Sequence, residues 1–132
     1  MVTPPQPQYA ATAYLIDESP PPPPRYRMRR DLRTVKQLYQ EWTIGLAGCL
    51  PIGELDRRYG PRWRAGRSDE IQFYSLRVEI IKEIRRLVNV EAISEATATE
   101  RLQGRQDREK WSIDKLCKRI RLEAKQRGQR RA

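Results

Sequence analysis

The chain has 132 residues, 38% apolar and 33% charged, with a formal net charge of +10 and a pI near 10.1, which leaves room for one domain with one modest core. It holds no histidine, and its two cysteines, Cys49 and Cys117, lie far apart without a neighbouring ligand; zinc sites and histidine-dependent catalysis are excluded on inventory. No apolar run approaches a membrane span, and the opening MVTPPQPQYAATAYLID lacks the charged start and apolar centre of a secretory signal, so an intracellular chain is expected.

Residues 1–24 carry eight of the ten prolines, ending in the run Pro20 to Pro24, and are expected to be a disordered Pro-rich tail of polyproline II character. Asp17 and Glu18 are the only charged side chains before Arg25, so residues 25–132 carry +12. Such a polycation favours a polyanionic partner: nucleic acid first, an acidic membrane surface second, an acidic protein third.

A basic arm, RYRMRRDLR over 25–33, leads into the first helical pattern, where Val35, Leu38, Tyr39, Trp42 and Leu46 line one face. Asp31 or Thr34 is placed to cap its start and Gly48 to end it. A short second helix follows Pro51, with Ile52, Leu55 and Tyr59 on one side and the Gly60-Pro61 stop behind it. A loop over 60–67 comes next. Ser68 is expected to cap the third and longest helix, with Asp69 and Glu70 in its first turn and a polar stripe of Gln72, Ser75, Glu79, Lys82 and Arg86 on an otherwise apolar cylinder. A fourth helix is predicted from Ser94 to near Gly104, and a fifth opening at Trp111-Ser112 with Ile113, Leu116, Cys117 and Ile120 as its apolar edge. Both cysteines are expected to be reduced core residues. The pattern predicts an all-α fold: a compact bundle of about five helices with a helix-turn-helix-like three-helix core. Its domain is expected over 25–126, with a basic tail over 127–132.

Catalysis requires a nucleophile beside a base, a perturbed acid pair, or a metal or cofactor site. None is visible here; Asp69 and Glu70 are explained by the helix dipole. The expectation is a protein that is not an enzyme and needs no cofactor or metal.

Three basic clusters remain: 25–33, 57–67 and 115–131. Solvation alone would be served equally by mixed signs, whereas convergence of the three in a compact bundle would build a track for phosphates. Trp63, between Arg62 and Arg64, is expected to anchor the loop on the core, the alternative being a stack on a base. Anchoring would turn Arg62, Arg64 and Arg67 outward.

The residues Tyr26, Met28, Arg30, Thr34, Val35, Glu41, Trp42, Gly45 and Pro51, then Leu55, Tyr59, Gly60, Trp63, Arg64, Ile80, Ile81 and Ile84, followed by WSIDKLCKRIR, form an ordered pattern. It resembles the C-terminal DNA-binding domain of fungal transcriptional activators of glycolytic genes, a domain shared with osmotic-stress and filamentous-growth regulators. The resemblance implies sequence-specific binding of double-stranded DNA in the nucleus and control of transcription, with other transcription factors as a second class of partner. A similar domain in fungal mobile elements beside a tyrosine recombinase leaves mobilisation of DNA open. A basic helical module for RNA or for an acidic protein is the rival reading. Where the resembled domain carries a polar cap after Pro51, this chain has Ile52 and Gly53, which weakens the start of the second helix.

On the DNA-binding reading, Arg25, Arg27, Arg29 and Arg30 are expected as a flexible arm on phosphates or in the minor groove, and Arg57 and Arg58 as backbone clamps. Arg62, Arg64, Arg67 and Gln72 would read bases beside Trp63, and Lys115, Lys118 and Arg119 would close on the flanking backbone.

Overall fold

The computed structural model describes residues 22–131, with the side chain of Arg131 outside the description. Most of the expected tail over 1–24 therefore lies outside the described residues. Five α-helices are present: α1 Val35–Thr43, α2 Ile52–Tyr59, α3 Ser68–Glu91, α4 Glu95–Glu109 and α5 Ile113–Arg131, with a 3-10 turn Gly60–Arg64 between α2 and α3. The all-α expectation holds, and no strand occurs among the described residues.

Local chemistry explains the helix starts. Thr34 closes a reciprocal capping box with Gln37 on α1, satisfying two otherwise orphaned donors. Ser94 caps α4 through Thr97 N–H at 3.0 Å, and Ser112 does the same for α5 through Lys115 N–H at 3.1 Å. α2 follows Pro51 without any side-chain cap, as its sequence suggested. The cap of α3 differs from expectation: Arg67 is the N-cap and makes no side-chain capping bond, while Ser68 is already helical.

Three ends also differ. α1 stops at Thr43 rather than near Gly48, because Gly45 takes φ +94° and a Cβ there would lie 2.3 Å from the Cys49 carbonyl oxygen; only glycine makes that turn. α4 runs through Gly104 to Glu109 and ends on Lys110 in the left-handed region, since Leu102, Gln103 and Gln106 bury against neighbouring elements. α5 continues to Arg131, so residues 127–131, expected as a tail, extend the helix.

The core joins Val35, Leu38 and Trp42 of α1, Ile52 and Leu55 of α2, Ile80, Ile81, Ile84 and Leu87 of α3, Ala98 and Leu102 of α4, and Ile113, Leu116, Cys117 and Ile120 of α5. α3 is central, packed against α5 along much of its length and also touching α1 and α4. Cys117 is buried as expected, and burial pushes its thiol up to about 12. Cys49 corrects the expectation: it is exposed in the irregular segment after α1.

Candidate nucleic-acid interface

The arm over 25–33 has no regular secondary structure and bends at Arg30, and it docks rather than hangs free. Met28 is 1% exposed. Its N–H donates to Glu70 at 2.8 Å, while Arg30 lies 2.9 Å from the same carboxyl group and its guanidinium caps the Phe73 ring at 4.0 Å. Glu41, equally buried on α1, accepts the Arg29 N–H at 2.9 Å and the Tyr26 hydroxyl at 2.6 Å. Burial, and then Glu41, raise the Tyr26 hydroxyl pKa. Two buried carboxylates thus receive one irregular segment. A buried charge is retained only when paired or hydrogen-bonded in this way. The expected flexible arm is corrected to a clamped one.

The loop is organised by Asp56 of α2. Its carboxylate accepts from Trp63 Nε1 at 2.8 Å, Arg64 Nη1 at 2.9 Å and the Tyr74 hydroxyl at 2.5 Å, and burial followed by the Asp56 bond pushes the tyrosine up to about 12. Trp63 is 2% exposed, packed edge-on against Tyr74; it anchors the loop and has no free face for a base. Arg64 does not point outward, because its guanidinium lies 3.5 Å over the Tyr74 ring as well as on Asp56. Arg67 donates to the carbonyls of Tyr26 at 2.9 Å and Trp63 at 2.5 Å. Arg64 and Arg67 are therefore corrected from outward readers to ties within the fold. Arg62 remains exposed, 5.7 Å from the Tyr59 ring, and Gln72 is exposed on α3. Arg57 and Arg58 are exposed but both pair with Glu54, whose carboxyl they hold at about 2, Arg57 first.

The arm borders both the loop and the start of α5. Its first residues touch the loop through Arg67 and the Tyr26–Trp63 ring pair at 6.3 Å. Its last residues share a cleft of about 430 Å³ with Arg77 of α3 and Trp111 and Ser112 at the start of α5. Gln106 of α4 locks that junction, accepting the Val35 N–H at 3.1 Å and donating to the Arg33 carbonyl at 2.7 Å. Lys115, Lys118 and Arg119 are exposed further along α5. Arg25 and Arg27 are exposed, Arg27 lying 3.5 Å from Asp69, and Arg29 is tied to Asp31 at 2.7 Å.

Sequence reasoning missed four organising residues: Glu41, Asp56, Glu70 and Gln106. Glu41 read as the polar face of the first helix, Gln106 as part of the connection beyond the expected stop near Gly104, and Glu70 as a partner of the helix dipole. Only Glu41 carried a hint, as a neighbour of Trp42 in the family-like pattern.

Against known proteins, the family model described as the transcriptional activator of glycolytic enzymes matches residues 26–105. This span begins at the clamped arm and closes inside α4. No curated protein and no solved structure matches the chain.

Proposed function

The chain belongs to this family of transcriptional activators of glycolytic enzymes, and from that premise we propose that it regulates transcription in the nucleus by binding double-stranded DNA at a preferred sequence. The observation that carries the proposal is the bond from Arg67 to the Tyr26 carbonyl, which holds the arm, with exposed Arg25 and Arg27, against the loop that bears exposed Arg62. Clamping fixes the arginines in position before a partner arrives, so less ordering entropy opposes association.

In this reading Arg25 and Arg27 contact phosphates, Arg57 and Arg58 exchange Glu54 for the backbone, and Arg62 and Gln72 reach base edges. Arginine suits guanine and glutamine suits adenine in the major groove. Trp63, Arg64 and Arg67 act indirectly by holding the loop that presents Arg62. Selection of bound duplexes from a random library at about 150 mM salt tests this, because nonspecific attraction is weakened there. Enrichment of one short motif is expected; tight binding without enrichment, collapsing as salt rises, would reduce the protein to a polycation. On the selected site, Arg62→Ala is expected to cost about 1–3 kcal/mol and to relax preference at one base position.

A further inference from the structure

We infer that the outer face of α5 is a docking groove for an acidic, apolar segment of another protein. A cleft of about 560 Å³ lies along this face, with Trp111 and Leu122 as its apolar lining, Lys115, Lys118 and Arg119 beside them, and Ser112 and Asp114 at its edge. Leu122 is 43% exposed on a helix whose other large apolar side chains are buried. α5 lies wholly beyond the matched residues 26–105.

Charge bookkeeping within the fold identifies the partner's sign. α5 holds eight Lys or Arg and only Asp114 and Glu123 as acids. Asp114 is taken up by Arg77 of α3 at 2.9 Å, and Glu123 by Arg105 of α4. Arg119 reaches Glu123 only at 4.0 Å, and Lys115 and Lys118 have no carboxylate within ion-pair distance among the described residues. Three cations therefore border the groove with little internal compensation.

The apolar lining separates a protein partner from a phosphate backbone. Phosphates would satisfy the lysines but give Leu122 nothing apolar to bury against. Lys115 and Leu122 stand two helical turns apart, about 10 Å. That length matches two turns of a partner helix carrying apolar side chains on one line and carboxylates on both sides of it.

The test uses the full chain and a fluorescein-labelled peptide of about 12 residues, long enough for three helical turns, with a Phe-Leu pair flanked by aspartates and glutamates. Anisotropy at about 150 mM salt should show binding that Lys118→Glu and Leu122→Ser each weaken by about tenfold. Both substitutions lie on an exposed face, and unchanged circular dichroism confirms the fold. Trp42 and Trp63 are 4% and 2% exposed, so acrylamide quenching reports chiefly Trp111, and the peptide should shield it. Equal binding of a peptide whose Phe-Leu pair is replaced by serines, or no effect of Leu122→Ser, would overturn the inference. So would full displacement of the peptide by random duplex, with Lys118→Glu weakening duplex and peptide alike, which would assign α5 to phosphates. Arg62→Ala protein should keep its peptide affinity, and loss of that affinity would also count against a separate groove. The outcome for duplex selection stands apart from all of these.

Discussion

Arg64 illustrates how a residue's chemistry depends on its neighbours. Its fork sits against Asp56 and two aromatic rings, with a side chain 13% exposed. Arg64→Ala is expected to destabilise the fold by about 1–3 kcal/mol, because removing one partner of a mostly buried pair strands the other. Urea unfolding measures this, and the loss on preferred duplex should exceed that on random duplex, because the loop that Arg64 holds presents Arg62. Glu54 behaves in the opposite sense. Its carboxyl is depressed to about 2 by Arg57 and Arg58, so its support of α2 is complete above the ordinary value of 4.5 and fades as pH falls from there toward 2. Glu54→Gln removes this support and frees both arginines, and the expected result is tighter binding to random duplex at low salt, read by anisotropy. The two thiols should also separate cleanly. Exposed Cys49 reacts with a thiol reagent in the folded protein, whereas Cys117, buried and pushed up to about 12, reacts only on unfolding.

At the scale of elements, helix existence was legible in the sequence, as was the stop of α2 at Gly60, whereas the ends of α1, α4 and α5 were not. Apolar spacing located all five helices, and the caps at Thr34 and Ser94 were readable because a side-chain oxygen before an apolar pattern has a local job. Gly104 was misread as a stop since the burial that carries α4 past it comes from other elements. A Cβ at Gly104 meets nothing within 4 Å, so Gly104→Ala should stabilise the protein by about 0.5–1 kcal/mol in thermal unfolding. The site was legible as charge and illegible as orientation. Which arginines face inward depends on Asp56, Glu41 and Glu70, whose partners lie 7 to 42 residues away in sequence, and no local pattern encodes such pairings.

For the whole molecule, α5 is as much a part of the core as it is a basic surface. Ile113, Leu116 and Ile120 are each 5% exposed or less, and burying each such side chain contributes about 1.5–3 kcal/mol. Together they are comparable with the whole stability of a small domain, about 5–15 kcal/mol. A chain cut after residue 105, where the family match ends, should therefore lose its cooperative urea transition and its dispersed amide spectrum. The bonds that clamp the arm also set an order of events on the ribosome. Met28 waits for Glu70, 42 residues downstream, and the Arg33 carbonyl waits for Gln106, 73 residues downstream. The arm is thus among the last segments to find its place. During synthesis Arg30 travels without its carboxylate partner, open to the surrounding ribosomal RNA, until α3 has emerged to claim it.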